Sequence, residues 1–303
     1  MVGSGSAGSP VRGPRTEALF DRALGHGMVG RLARITVNAP LRVLAYHEIK
    51  DAGGFAAQME HIAGRYRPVS VAEVLHWLDG GALPPAAVWV TFDDADPTVV
   101  EDGLPVLDQL DIPATMFVCP GMVDTDRPYW WQIVETTAPD EVGALKLVDD
   151  ARRVRRVAEL AEAFARHHGY HPTRVQLTSS QLTRWLDSGR DVGNHTWDHP
   201  LLDRCDESEQ ERQIVMAHEW IVDRVAPEQL VFAYPNGNRA LSADAVLDRL
   251  GYRVSALFDH RLTSMCASGR LSRLRTNADD DLARFRSIVS GVHPTIHRLR
   301  GRG

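Results

Sequence analysis

Cysteine is scarce in this chain: 3 of 303 residues, Cys119, Cys205 and Cys266, spaced far apart. A set this sparse excludes a disulfide framework and a thiolate zinc site. Long apolar runs are missing as well. No stretch reaches the roughly 18 apolar residues a membrane span needs, so no span is expected. The opening MVGSGSAGSPVRGPRTEALF lacks the apolar centre of about 7–15 residues that a secretory signal carries, and the expected compartment is the cytoplasm. Positive charge is not in excess. With 34 Lys+Arg against 40 Asp+Glu and a net charge of -6, a globally basic nucleic-acid binder is disfavoured, and no nucleic-acid partner is expected.

What is present is an ordinary globular composition, 44% apolar and 24% charged, enough to build a sizeable core. There are 13 histidines, so any metal would be held by nitrogen and oxygen ligands. Residues 1–38 read as a flexible Gly/Ser/Pro-rich tail with a possible helix over 16–38. From residue 39 the texture changes. Short apolar runs (Leu41–Tyr46, the run AAVWVTF, Ala114–Val118, Asp191–His195, Leu230–Tyr234, Val254–Leu257, Leu271–Arg275) alternate with helical stretches such as Phe55–Arg65, Val71–Leu78, Thr98–Leu110, Thr178–Ser188 and Glu207–Val225. Buried strands alternating with helices indicate βα units around a parallel sheet. About seven strands and no internal linker favour one α/β barrel domain, 39–292, over two domains. A C-terminal tail covers 293–303. The stretch from Cys119 to about Pro172 interrupts the rhythm and reads as polar and irregular, with one Arg-rich helical run. Arg152, Arg153, Arg155 and Arg156 in that run read as a solvated helix face.

In parallel α/β folds the chemistry sits at the carboxyl ends of strands. Three strand ends carry unusual residues. Thr91-Phe92-Asp93-Asp94 presents two adjacent carboxylates that point in opposed directions and can take separate tasks; the pair equally suits a helix cap. Asn194-His195-Thr196-Trp197-Asp198-His199-Pro200 offers two imidazoles four apart, with Pro200 favouring a turn at His199. Two imidazoles and one carboxylate would leave open positions on a divalent metal; the rival reading is a surface loop. Phe232-Ala233-Tyr234-Pro235-Asn236-Gly237 is a turn whose backbone N–H groups could face an oxyanion, or a plain turn. Trp130, Trp131 and Trp197 could stack on a sugar ring, with core packing as the rival for Trp131.

Taken in this order and spacing, Thr91–Asp94, His195–Pro200 and the Tyr-Pro-x-Gly turn resemble the polysaccharide deacetylases of carbohydrate esterase family 4, over about residues 41–291. Leu41–Ile49, Phe55–Val74, Leu107–Phe117 and Leu177–His195 extend the likeness. The early Tyr46-His47 is similar to the poly-N-acetylglucosamine deacetylase-like branch, where the general-acid histidine comes from the first strand. The resemblance implies a distorted (β/α)7 barrel, a divalent metal, usually zinc, and a carbohydrate substrate bearing N-acetyl groups. Carried over, Asp94, His195 and His199 would bind the metal, Asp93 would be the general base toward the attacking water, and His47 the general acid. The Tyr234 backbone would help hold the oxyanion, beside Pro235. Trp197 and Trp131 would contact substrate.

The sequence departs from the family pattern in two places. Ala95 stands where Gly is usual, and Phe232-Ala233 where an Arg commonly pairs with the catalytic aspartate. Arg273 is expected to supply that charge. His293 ranks below His47 as the acid because it lies in a Pro-containing tail. The expected reaction is N-deacetylation of a small glycoside or oligosaccharide. The same barrel could instead serve an O-deacetylase, a deformylase or a non-sugar amide hydrolase. A silent carbohydrate-binding protein is disfavoured because the five polar residues occur together, and a ferrous-iron oxygenase is disfavoured by the βα alternation.

Overall fold

The computed structural model describes residues 39–168, 176–263 and 269–299. The helix expected within 16–38 and Cys266 lie outside them. The sheet comprises β1 (Leu41–Tyr46), β2 (Arg67–Pro68), β3 (Ala87–Phe92), β4 (Ala114–Val118), β5 (Asp191–Asn194), β6 (Val231–Ala233), β7 (Val254–Ala256), β8 (Arg270–Leu271) and β9 (Leu274–Arg275). The strand order is β8-β7-β6-β5-β4-β3-β1-β9, with β2 also paired to β3. The pairings between these strands are parallel.

Closure follows from the chain itself. β8 and β9 lie at opposite ends of the strand order, yet only Ser272 and Arg273 separate them. Three Cα–Cα steps reach at most about 10 Å. The sheet must therefore curl until its two edges nearly meet, and Arg273 sits in the seam. This gives the distorted (β/α)7 barrel of the family fold. It also corrects one element: Leu271–Arg275 is not a single strand but two short pieces on opposite edges.

Every residue of β1 and β3 is buried, as expected for strands covered on both faces. The period of two sorts them. Leu41, Val43, Ala87, Trp89, Phe117, Val231, Ala233, Val254, Ala256 and Leu271 form one apolar cluster in the lumen. Leu44, Tyr46, Val88, Val90, Phe92, Met116 and Val118 belong to another, facing the outer helices. The helix α1 (Ala52–Arg65) supplies Phe55, Met59 and Ile62 to that outer layer. Helix α2 (Val71–Leu78), closed at its start by a Ser70–Glu73 capping box, instead packs Val74, Leu75 and Trp77 into the lumen cluster. Gly193 belongs to this interior: a Cβ there would lie 2.5 Å from the Phe117 ring.

Three local expectations are revised. Thr98–Leu110 is not one α-helix; it runs as a π-turn over Val99–Gly103 before helix α3 (Leu104–Gln109). Pro105 has no N–H to give the carbonyl four residues back and its ring crowds that carbonyl, so the chain widens there. The stretch after Cys119 is largely helical, with α4 (Trp130–Thr137) and α5 (Asp150–His168) packed through Ile133, Val134, Leu145 and Leu160. Arg153 is not on a solvated face: it is 2% exposed, pairs with Asp150 and lies over the Trp130 ring. At the other end, Val292–Leu299 is helical; Pro294 falls in its first turn, where a missing N–H is tolerated. Helix α6 (Ser179–Asp187) starts at a Thr178–Gln181 capping box, and α7 (Glu207–Arg224) follows the histidine loop. No helix among the described residues is long and apolar enough to cross a membrane.

Candidate active site

The strand period that fills the lumen also aims the polar residues. Positions of the same parity as Val43, Trp89, Phe117, Ala256 and Leu271 lead to His47, Asp93, Cys119, Phe258 and Arg273 at the carboxyl ends, and Gly193 leads likewise to His195. Asp93 is 2% exposed. Arg273, fully buried, grips it with both terminal nitrogens: Nη1 donates to Oδ1 at 2.6 Å and Nη2 to Oδ2 at 2.7 Å. Arg273 is itself fixed. Its Nε donates to the Leu257 carbonyl at 2.7 Å, Nη1 to Thr91 Oγ1 at 3.2 Å, and its guanidinium lies between the Phe117 and Phe258 rings. A planar fork paired bidentately with a carboxylate sets both position and angle.

Asp94 has the wrong parity to follow Asp93 inward. The backbone turns it: Asp94 has φ 65° and Ala95 φ 53°, in the left-handed region that non-Gly residues rarely enter. Thr196 (φ 71°) and His199 (φ 64°) share that conformation in the histidine loop. Such departures cost about 1–3 kcal/mol each and cluster where function requires them. Here they bring Asp94 Oδ1 to 3.4 Å from His195 Nε2 and 3.2 Å from His199 Nε2.

Asp94, His195 and His199 thus form a group whose ligand atoms all lie within 4.8 Å of one another. Asp94 Oδ1 is buried without a hydrogen-bond partner, an arrangement that suits a cation. His195 Nδ1 contacts the Ala233 carbonyl at 2.7 Å. A carbonyl accepts only from N–H, which leaves Nε2 as the lone-pair nitrogen facing the site. The charges agree. Burial works to raise the Asp94 carboxyl, but the imidazoles of His199 and then His195 beside it outweigh that and hold it well below the usual range. Burial likewise opposes ionisation of Asp93, which Arg273 and then His195 reverse. Burial disfavours protonated His195, yet Asp93 and Asp94 raise its pKa. Burial pushes His199 down to about 4, leaving it neutral and able to ligate. One carboxylate and two imidazoles fit a divalent ion with open positions.

His47 lines a cavity of about 780 Å³ together with Asp94, Trp131 and Phe258, its ring 5.0 Å from that of Phe258. Trp131 is half-buried, stacks on Tyr129 at 4.4 Å and meets the His199 ring at 4.4 Å. Other expected residues lie elsewhere. The Tyr234 N–H donates to the Ala256 carbonyl at 3.0 Å, because the β6–β7 ladder continues through it, so the expected oxyanion donor is already engaged. Its ring is buried against Phe232 and its hydroxyl bonds Asp244; Pro235 is buried too. Trp197 packs over Gly121, where a Cβ would sit 2.5 Å from its Nε1, and does not line this cavity. His293 Nδ1 lies 2.8 Å from His260 Nε2, and His293 does not line the cavity with Asp94. Tyr129 was missed from sequence: its hydroxyl donates to the Asp94 carbonyl at 2.9 Å and braces the turn.

The sequence profile described as polysaccharide deacetylase matches residues 80–255, more than half the chain, and takes in both motif strands. The chain belongs to the polysaccharide deacetylase family. A poly-beta-1,6-N-acetyl-D-glucosamine N-deacetylase of Staphylococcus aureus is 38% identical over 59 residues, 20% of this chain and 20% of that protein. The Bacillus subtilis peptidoglycan-N-acetylmuramic acid deacetylase PdaC is 31% identical over 85 residues, 26% of this chain and 18% of that protein. These alignments span about a fifth of the length of the curated relatives. Among solved structures, IcaB from Ammonifex degensii superposes with a TM-score of 0.62 at 19% identity, covering 84% of this chain and 98% of that one. A Streptococcus pyogenes deacetylase, PplD, in complex with acetate gives a TM-score of 0.59 at 17% identity, covering 80% and 94%. The fold is that of these deacetylases, and the Staphylococcus aureus match falls in the branch to which Tyr46-His47 pointed.

Proposed function

We propose that this polysaccharide deacetylase family member is a metal-dependent N-deacetylase acting on an N-acetylated sugar, with a divalent ion, zinc by its donor set, held by Asp94, His195 and His199. The observation that carries this reading is the buried, unpartnered Asp94 Oδ1 between two imidazole nitrogens, beside an Asp93 clamped by Arg273. Such an ion lowers the pKa of water and polarises an acyl oxygen.

The chain's own residues supply the rest. Ionised Asp93 accepts a proton from the attacking water as its oxygen bonds to the acyl carbon. Arg273 keeps Asp93 ionised and fixes its angle. His47, on the cavity side, donates a proton to the amide nitrogen as the C–N bond breaks, so the products are acetate and the free amine. The cavity that His47 shares also presents Glu48, Lys50, Asn277 and Asp279, side chains suited to sugar hydroxyls. Trp131, at its edge against His199, offers an aromatic face to a pyranose ring. The substrate we favour is an amino sugar, a small glycoside or an oligosaccharide.

The test pairs metal analysis of the purified protein with acetate release from N-acetylglucosamine-containing small molecules and polymers. Asp93→Asn and His47→Gln should each lower the rate by roughly 10²–10⁴-fold, and a chelator should abolish it. Full activity in either variant, or activity indifferent to the chelator, would overturn the mechanism. Release from polymers alone would overturn the small-substrate assignment.

A further inference from the structure

Asp94, His195 and His199 come from two separate loops, the turn after β3 and the loop after β5. Both loops hold non-glycine residues in the left-handed region: Asp94 and Ala95 in one, Thr196 and His199 in the other. Such backbone keeps its shape only where the surroundings over-determine it. The histidine loop is held from its own side of the barrel. Asn194 Oδ1 accepts from the Thr196 N–H at 2.8 Å, and Thr196 Oγ1 from the His199 N–H at 3.1 Å. Gln213 Oε1 accepts from the Trp197 and Asp198 N–H groups at 3.0 and 3.2 Å. These bonds fix His195 and His199 relative to each other. None of them reaches Asp94.

Tyr129 does reach it, and touches the histidine loop as well. Its hydroxyl donates to the Asp94 carbonyl at 2.9 Å. Its ring meets that of His199 edge-on, with centroids 5.8 Å apart. The side chain is buried, and burial raises its pKa well above the ordinary value, so the hydroxyl keeps the proton it donates. Trp131 stacks on the same ring at 4.4 Å and itself meets His199 at 4.4 Å, so Tyr129 cannot swing away without breaking that stack. The segment that carries Tyr129 is anchored in turn. Gln132 Oε1 accepts from the Tyr129 N–H at 2.8 Å, and the Gly121 N–H donates to the Trp197 carbonyl at 2.8 Å. The Cys119 thiol donates to the His195 carbonyl at 3.2 Å. All three metal-site residues are therefore touched from Cys119–Trp131, and within that segment Tyr129 bonds the aspartate turn.

We propose that Tyr129 is the positioning residue that joins the aspartate turn to the histidine loop and thereby sets the affinity of the site for its ion. It acts through Asp94 and His199, by fixing the separations of Asp94 Oδ1 from His199 Nε2 and His195 Nε2 at 3.2 and 3.4 Å. Ligands drawn from two loops bind less tightly when one loop is free to move, because the ion must then order it. The proposal rests on the metal-dependent reading above and adds the residue that holds its ligands together.

The experiment measures the zinc dissociation constant of the full chain by competition with a chromophoric chelator, for the wild type, Tyr129→Phe and Tyr129→Leu. The urea midpoint of each metal-free protein is measured alongside. Tyr129→Phe keeps the ring and removes only the hydroxyl. It should weaken zinc binding about 10-fold, and Tyr129→Leu, which loses the ring contact too, about 100-fold. In acetate release at limiting zinc, Tyr129→Phe should lose kcat with KM unchanged, and excess zinc should restore the rate. A tyrosine that served the fold alone would lower the metal-free midpoint and leave the zinc affinity of the folded protein unaltered. Equal zinc affinity in the wild type and Tyr129→Phe therefore overturns the proposal while the metal reading stands. A wild type that binds no zinc overturns the metal reading and the proposal with it, so the two failures are told apart.

Discussion

Arg273→Met tests the seam and the site together. Arg273 is fully buried and donates to both oxygens of Asp93, to the Leu257 carbonyl and to Thr91 Oγ1. Removing it leaves a carboxylate 2% exposed without its counter-charge. Breaking a buried ion pair in this way costs about 3–5 kcal/mol, a large share of the roughly 5–15 kcal/mol that holds a domain folded. The bonds to Leu257 and Thr91 are neutral and worth about 1 kcal/mol each. In an Asp93→Asn background the charge is gone, so the same Arg273→Met change should cost only about 1–2 kcal/mol. The coupling in this double-mutant cycle is then about 1–4 kcal/mol. Urea unfolding of the four proteins at one fixed metal concentration measures it. Arg273→Lys, which keeps the charge but not the fork, should fold and still lose kcat more than it raises KM, because Asp93 would no longer be held at a set angle. Equal costs for Arg273→Met in both backgrounds would show that Arg273 only braces the β8–β9 seam, and the assignment of Arg273 as the orienting group for Asp93 would fall.

Two further outcomes follow from single positions. Gly193→Ala places a Cβ 2.5 Å from the Phe117 ring and 3.0 Å from Val231, so overpacking should destabilise by about 1–3 kcal/mol, read as a lower urea midpoint at unchanged slope. Asp191, at the start of β5, is pushed up to about 6 by burial and then by Glu228, with a Val71 backbone hydrogen bond working the other way. Because the folded state holds this proton more tightly than the unfolded one, stability is lost as pH rises from about 4 through 6. A rise of that size corresponds to about 3 kcal/mol, discounted to about 1–2 for a group that water partly reaches. Asp191→Asn should therefore stabilise the protein at pH 7 by that amount and leave stability near pH 4 unchanged. A variant no more stable than wild type at pH 7 removes the argument.

What the sequence could reveal was what is local or periodic. The βα alternation, the strand parity that aims His47 and Asp93, and the turn forced by Pro200 are properties of short segments, and all are visible in a single chain. Arg273 could be proposed because a charge was missing from the Phe232-Ala233 region, but not why it reaches Asp93. That depends on β8 and β9 lying on opposite edges, a non-local fact hidden by five consecutive residues that look like one strand. Tyr234 was misjudged for the same reason. Whether its N–H is free depends on Ala256, 22 positions away. Arg153 looked solvated because a run of arginines on a helix is usually so, whereas burial here comes from Asp150 and Trp130 closing over it. The Arg-rich helical run of the insertion did not say what it would pack against, so its contact through Ile133, Val134 and Leu160 was not legible.

The adjacent aspartates show how one dipeptide serves two purposes. Strand alternation alone would send Asp93 inward and Asp94 outward, among the helices. Asp93 obeys it and meets the Arg273 fork carried in by the closing seam. Asp94 escapes it, because two successive left-handed residues, Asp94 and Ala95, swing the chain back over the barrel mouth while the Tyr129 hydroxyl holds the Asp94 carbonyl. The two carboxylates then differ in the way that matters chemically. Asp93 takes one hydrogen bond from Arg273 on each oxygen and stays ionised at a set angle, with acceptor capacity left, as a base must. Asp94 keeps one oxygen without a donor between His195 and His199, as a cation ligand must. A Gly at position 95 would adopt the turn with less strain, but this chain places a buried Ala there. The methyl joins the outer apolar cluster with Val99 and Val100, so packing of the following helix offsets part of the backbone cost of the turn that the site depends on.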